Sequence, residues 1–358
     1  KAMVDERYTC VFSLPYIKTT LPAGLVFRAL GIDEIDKIIK WVGCNSKAFA
    51  TTLLAQFNEA ATQTEAIASI ALKLPNECDG DPIDYVTGIL TKELFYHIGP
   101  LTPLKSALHL AYILKRLMAT ATGSLKPDDK YSLSNKRLDT SGNLVGFIFN
   151  GLFKQFVKSL YNQVHEKKVS DPVHVIRAIN NINYGMSSCF MSSNWTTQKS
   201  TNTYSRVGVS QVLSVQNFGA KLSHLKRVML PHGLKGKNSA ARLLHSSHFG
   251  FFCPYETPEG ERVGLVTNMA LCASVTMGIP PYEIHRCGVL DDLAEAGSAE
   301  HWVLLNGQVV GSCSDPASFK ARFNEYRSRN LIDSKVSLVW QRYANELHIL
   351  CDEGRMFR

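Results

Sequence analysis
Three absences bound this chain. From Pro172 to Tyr255 there is not one Asp or Glu. Nine cysteines, at 10, 44, 78, 189, 253, 272, 287, 313 and 351, include no CxxC pair. A zinc ribbon is therefore not expected, and an odd, unpatterned set suits a reducing compartment. No apolar run approaches the roughly 20 residues of a membrane-spanning helix, and no stretch reads as a signal peptide. No membrane partner is expected. The GxxxxGK[ST] phosphate loop is also missing, so the glycine- and lysine-bearing LPHGLKGKNSAAR (230–242) is not a P-loop.

The acid-free span is not free of base. It holds Arg177, Lys199, Arg206, Lys221, Lys226, Arg227, Lys235, Lys237 and Arg242. These nine cations exceed the net charge of +8 carried by all 358 residues, so the rest of the chain is close to neutral. Five histidines and many Ser, Thr, Asn and Gln residues accompany them. Cations for a phosphate backbone and neutral donors for position make the composition of a nucleic-acid-facing surface. An ordinary solvated face mixes both signs, and this one does not. Directly after it comes CPYETPEGERVGL (253–265), with two prolines, two glycines and three glutamates. A rigid acidic turn thus borders a basic region.

Periodicity divides the chain. EIDKIIKWV, with Asp33 as its expected cap, KAFATTLLAQF and TEAIASIALKL repeat apolar residues at three and four. PLKSALHLAYILKRLMATA (103–121) and GNLVGFIFNGLFKQFVKSLYNQV (142–164) are long helix candidates, separated by a polar loop. Beyond about residue 266 the period shifts towards strands. Asn306-Gly307 between apolar runs is a strong hairpin signal, and Ala344-Asn345 marks a second. A basic helix, PASFKARFNEYRSRN, lies between them. The fold class expected is α+β and multidomain, with a helix-rich N-terminal half and a mixed, β-rich C-terminal half.

Several stretches in register resemble the second-largest (beta-type) subunit of the multisubunit DNA-directed RNA polymerases. They are GVSQVL (208–213), LSHLKR (222–227), RLLHSSHFGFFCP (242–254), the CPYETPEG turn and GLVTNMAL (264–271). SLPYIKTTLPAGLVFRALGI (13–32), DDKYSLSNKRLDTSG (128–142), VLLNGQVVG (303–311) and DEGRMFR (352–358) extend the likeness over essentially the whole chain. Departures mark a divergent member. Phe249 stands for the family's usual Trp, Lys226 for the first Arg of its pair, and Leu234-Lys235-Gly236 for its R-D-G. Glu261-Arg262 replaces a commoner small or polar pair. The eukaryotic, archaeal and large-DNA-virus pattern fits better than the bacterial one. Lys1 and Arg358 as the outer residues suggest a segment of a longer subunit.

The resemblance implies a partial lobe over 1–127, a partial helical protrusion over 128–188, a fork over 189–270 and an external 1 region over 271–358. It implies transcription by an assembled polymerase, a nucleotidyltransferase, in which this chain lines the active-centre cleft. The implied partners are the largest subunit and other polymerase subunits, the DNA template, nascent RNA and NTPs, in the nucleus or a cytoplasmic virus factory. Magnesium is implied to be held mainly by the largest subunit, zinc to lie outside this segment, and the segment alone to be inactive, with no catalytic residue of its own. Nucleic-acid contacts are expected from Lys199, Arg206, Gln211, Lys226, Arg227, Lys235, Lys237 and Arg242. Glu256, Glu259 and Glu261 are expected near the active centre. For Glu256 and Glu259 a second reading stands beside this one, in which they anchor the turn to backbone amides. His224 and His245 read as hydrogen-bonding rather than catalytic. The alternative to a subunit is a free-standing nucleic-acid-binding module or a truncated regulatory decoy.

Overall fold
A computed structural model describes residues 1–5, 9–43, 46–74, 81–95, 102–166, 173, 176, 181–196, 205–230, 239–297 and 300–358. It has two compact units, each built from two pieces of chain. The first comprises Lys1–Asp128 and Ile279–Asp352, the second Asp129–Gly278 and Glu353–Arg358. Helix dominates up to residue 192 and short strands follow, so the class is α+β.

The first unit opens with a three-stranded antiparallel sheet, β1 (Ala2–Val4), β2 (Cys10–Phe12) and β3 (Leu21–Pro22). Helix α1 (Ala23–Ala29) follows directly and is buried at every position but Arg28. A helix apolar all round must sit inside a core, and here five more surround or follow it: α2 (Ile35–Val42), α3 (Lys47–Phe57), α4 (Gln63–Ala71), α5 (Pro82–Gly88) and α6 (Pro103–Ala121). Ser46, Thr62, Asp81 and Thr102 cap α3 to α6 through their side chains. The cap expected at Asp33 is not made. Helix α2 starts at Ile35, with no side-chain cap bond, and Asp33 instead faces Arg28 at 3.5 Å. A cation already held by the preceding helix competes better for that carboxylate than amides one residue out of register.

In the second unit, α7 (Ser141–Glu166) packs on α8 (Asn181–Ser192). Three two-stranded ladders accompany them. β4 (Asn194–Thr196) pairs with β5 (Ser205–Val207). After helix α9 (Phe218–Leu225), β6 (Arg227–Met229) pairs with β7 (Val266–Asn268). The third ladder joins β8 (Ser274–Val275) to the chain's final strand.

The chain then re-enters the first unit through α10 (Pro281–Arg286). It forms the hairpin β9 (His301–Leu305) and β10 (Gln308–Cys313), helix α11 (Pro316–Ser328), and the hairpin β11 (Ser337–Gln341) and β12 (Glu346–Leu350). Asn306 and Gly307 take φ of 49° and 85°, the left-handed pair that a two-residue hairpin turn requires. The sheet order is β10-β9-β12-β11, with β12 parallel to β9. Alternation sends Val303, Leu305, Leu347 and Ile349 to one core with Phe319 and Phe323 of α11. It sends Trp302 and Leu304 to the other face, against Trp41, Leu108 and Tyr112. Burial on both faces explains why HWVLL reads as a continuous apolar run rather than an alternating one. Strand β13 (Met356–Phe357) returns to the second unit and pairs with β8. No helix among the described residues is long and apolar enough to cross a membrane.

Candidate nucleic-acid interface
The acidic turn hangs from β7. β6 and β7 are antiparallel, with Arg227 opposite Asn268 and Met229 opposite Val266. Cys253 N–H donates to the Asn268 carbonyl at 2.9 Å and Ala270 N–H to Phe251 O at 2.8 Å, so the chain entering the turn is pinned to the end of β7. Inside it, the Thr257 hydroxyl works in both directions. It accepts from Gly264 N–H at 2.9 Å and donates to Val266 O at 2.9 Å. Arg242 Nη1 donates to the carbonyls of Glu261 and Val263, at 2.6 and 2.9 Å. Gly264 has φ 71°, and a Cβ there would collide with the Arg242 carbonyl. The turn is therefore held by a threonine, an arginine and a glycine.

The glutamates of the turn point three ways. Glu256 accepts a short hydrogen bond from the Ser223 hydroxyl at the end of α9, and Ser223 in turn accepts from Asn268 Nδ2 at 3.3 Å. Glu259 precedes the short 3₁₀ turn Gly260–Arg262 without a side-chain cap bond, and its exposed carboxylate has no partner among the described residues. Glu261 is exposed and contributes its carbonyl to Arg242.

Opposite the turn, Ser214 N–H donates to His224 Nδ1 at 3.1 Å. That fixes the tautomer, leaving Nε2–H to donate to Gln211 Oε1 at 2.9 Å. Gln211 Nε2 donates to Gly208 O at 2.9 Å, so the amide is held from both ends. His245 has a similar bridging role. Its Nε2 meets Asp129 at 2.7 Å and its Nδ1 meets Ser247 at 2.7 Å. Asp129 titrates below the usual carboxylate range, chiefly because Tyr131 N–H donates to it and also because of His245. Both histidines are hydrogen-bonded links.

Gln211, Arg227, Met229, Glu256, Thr257, Pro258, Arg262, Val266 and Asn268 line one cavity of about 310 Å³. Of the expected residues, it gathers Gln211, Arg227 and Glu256. Three more make contacts within the unit. Arg206 pairs with Asp139 at 2.8 Å, Lys226 Nζ donates to the carbonyls of Ala270 and Leu271 at 3.2 and 2.7 Å, and Arg242 holds the turn. Lys199, Lys235 and Lys237 lie outside the described residues. Sequence reasoning did not single out Ser223, Thr257 or Asn268. Only Asn268 left a trace: in GLVTNMAL it is a polar residue at a position that strand alternation sends inward, and it is 4% exposed.

Residues 3–139 match the family model for RNA polymerase Rpb2, domain 2; residues 211–275 match domain 3, and 303–358 domain 4. An RNA polymerase II subunit RPB2 homolog of Frog virus 3 (isolate Goorha) is 33% identical over 413 residues, covering 100% of this chain and 33% of the relative. The RNA polymerase II subunit RPB2 of Schizosaccharomyces pombe is 32% identical over 365 residues, covering 97% and 30%. Subunit Rpo2 of Saccharolobus solfataricus is 28% identical over 372 residues, covering 97% and 32%. The chain spans about one third of the length of these relatives.

Proposed function
The chain belongs to the second-largest-subunit family of the DNA-directed RNA polymerases, and from that premise we propose that it lines the active-centre cleft of an assembled polymerase. There it meets downstream DNA, the RNA–DNA hybrid and the RNA 3′ end. The observation that carries this reading is the cavity that gathers Gln211, Arg227 and Glu256 where the basic, acid-free span meets the acidic turn. Fixed neutral donors and cations beside a carboxylate suit a polyanion that must be positioned rather than gripped. Gln211 and Arg227 face the RNA strand. Lys199, Lys235 and Lys237 meet phosphates of the DNA. Arg206, Lys226 and Arg242 hold the scaffold, and Lys226 and Arg242 keep further N–H donors for phosphate. Glu256 and Glu259 orient basic groups around the incoming nucleotide, with Glu261 beside them.

In this reading the partial lobe (1–127) and external 1 (271–358) supply most of the first unit. The protrusion return (128–188) and fork (189–270) supply most of the second. The largest subunit and the other subunits complete the enzyme, in the nucleus or a viral factory. The magnesium needed for phosphoryl transfer is held mainly by the largest subunit, and zinc lies elsewhere. Residues 1–358 alone then make no RNA. Three successive domain models matched in chain order support a subunit over a free-standing module or decoy.

The test is single-nucleotide addition on a preassembled RNA–DNA scaffold by the polymerase carrying this subunit. Gln211→Ala and Arg227→Ala are expected to slow addition or destabilise the RNA end with little change in subunit melting. Unchanged addition by both variants would remove the cleft-lining role.

A further inference from the structure
We propose that the outer edge of β11 is a docking edge for an extended, acidic strand of another protein. The proposal concerns the first unit alone and does not depend on any contact with nucleic acid.

The direction in which β11 presents its main chain follows from its neighbours. Asn345 O accepts from Trp302 N–H at 3.0 Å and Ile349 O from Asn306 N–H at 2.9 Å, so the odd-numbered residues of β12 bond towards β9. The even-numbered ones, Glu346, His348 and Leu350, therefore turn their main-chain groups to Gln341, Val339 and Ser337 of β11. Leu338 and Trp340 alternate with these and turn their N–H and C=O groups away from the sheet. The order β10-β9-β12-β11 places no strand on that side, and none of the four groups has a partner among the described residues.

Natural sheets guard such rows of unpaired groups with charges, prolines, bulges or a covering segment. The opposite edge of this sheet is guarded. β10 carries a bulge between Val309 and Gly311, and Ser312 exchanges main-chain hydrogen bonds with Ala294 at 3.0 and 2.9 Å. β11 has neither device. Its sequence, SLVWQ, contains no charge, proline or glycine, its five pairs with β12 run without a shift, and Val339 is 41% exposed. An edge of this kind takes up an extended peptide, whose main chain supplies the affinity and whose side chains supply the choice of partner.

Charge decides what kind of strand fits. From Ser334 to Asn345 there is no Asp or Glu, while Lys335 and Arg342 flank β11 at its two ends. Arg327 of α11 adds a third cation there, its Nη2 donating to Ser334 O at 2.8 Å. The acids bordering the span are engaged: Asp333 Oδ1 accepts from Lys335 N–H at 2.7 Å, and Glu346 is buried. Arg342 is exposed, lies over the Trp340 ring at 4.7 Å and has no carboxylate partner among the described residues. A second copy of this chain is a poor occupant. Antiparallel pairing of two β11 strands through Leu338 and Trp340 would set Lys335 of one copy beside Arg342 of the other, and like charges across a ladder are destabilising. An acidic strand meets the same cations with the opposite sign.

The experiment measures fluorescence anisotropy of a labelled eight-residue peptide of alternating valine and glutamate, titrated with the 358-residue chain. Two N-methylated forms, one methylated at its valines and the other at its glutamates, lose the N–H donors of one side of the strand or of the other. One form is expected to bind about tenfold more weakly, because the donors to the Leu338 and Trp340 carbonyls are gone, and the other to bind as the parent does. Arg342→Glu should weaken the parent peptide several-fold, with a melting curve to check that the fold is kept. A peptide with lysine in place of glutamate should bind the wild-type chain less well than the parent. No binding of the parent, or equal affinities of the parent and both methylated forms, would overturn the proposal. Binding of the lysine peptide as tight as the parent's would overturn the acidic partner. A chain that dimerises in sedimentation and excludes the peptide as it does so would give the edge to a second copy and overturn it too.

Discussion

Replacing Glu346 by alanine should destabilise the first unit by about 3 kcal/mol. The carboxylate is 1% exposed, and a single oxygen, Oε2, accepts from Arg116 at 2.7 Å, His348 at 2.9 Å and the Tyr112 hydroxyl at 3.1 Å. Breaking a buried ion pair by removing one partner costs roughly 3–5 kcal/mol. The lower end applies because Arg116 keeps Asp128 at 2.8 Å and Gln341 at 3.3 Å. For a cooperative unit of about 200 residues, each kcal/mol moves the melting point by roughly 2–4 °C. Calorimetry at neutral pH should therefore show a drop of about 6–12 °C. The double variant Arg116→Met with Glu346→Leu should lose less than the single one, since no charge is left buried alone. Burial by itself would raise the Glu346 pKa. The His348 hydrogen bond and the Arg116 charge more than reverse this, so the group titrates below its ordinary 4.5. A lowered folded pKa means that the stabilisation is complete above the unfolded value and is lost as pH falls through the folded one. The gap between wild type and variant should close in acid. Tyr112 has the opposite sign: burial, then Glu346, push its phenol well above the usual range. That contribution is present below the ordinary phenol pKa and disappears as pH rises through the folded value. A single variant that melts within about 2 °C of wild type at neutral pH would refute this account of the buried carboxylate.

Thr257→Val removes both hydrogen bonds inside the acidic turn. It should cost about 1–3 kcal/mol and open residues 253–265 to limited proteolysis; unchanged protection would mean that the turn is held otherwise. Gly264→Ala, forced into φ 71° against the Arg242 carbonyl, should lower stability by at least the roughly 1–3 kcal/mol of a strained backbone, read by the same protease assay. Glu259→Ala should leave melting unchanged, because its carboxylate has no partner to lose, yet slow nucleotide addition by the assembled enzyme. A misplacement of about 1 Å can cost roughly 100-fold, and normal rate and fidelity would sink the role. Lys235→Ala with Lys237→Ala should weaken the hold on downstream DNA and spare bond formation, since a lysine ammonium acts as a point charge on phosphate; slowed bond formation with unchanged DNA retention would reverse that assignment.

Much of this was legible in the sequence. The period of PLKSALHLAYILKRLMATA matches α6 residue for residue, and Asn306-Gly307 marks the first hairpin. Local signals sufficed because one capping threonine and one turn pair decide those geometries. The parallel pairing of β12 with β9 was not legible, since nothing between residues 305 and 346 encodes which edge the second hairpin chooses. Glu346 reads as a charged turn neighbour, and only two donors from distant positions, Tyr112 and Arg116, together with His348 on its own strand make it a buried hub. In the candidate site, composition pointed to the basic span and the rigid turn. It left open whether Glu256 or Glu259 anchors the turn to backbone amides, whereas Thr257 and Arg242 make those main-chain contacts, which carry no residue pattern, and Glu256 meets the Ser223 side chain.

The first unit also imposes an order on biosynthesis. Its sheet and its α6 face are separated by the whole of residues 129–278. At a synthesis rate of roughly 5–20 residues per second, Trp41, Leu108 and Tyr112 wait on the order of 10–40 s for Trp302 and Leu304 to be made. During that interval an apolar helix face and the Arg116 guanidinium stand without their eventual partners on a growing chain. The inserted unit, apart from its last strand, is complete before its host. A ribosome-associated holdase that covers the α6 face would act in that window and have no target once residue 352 has emerged.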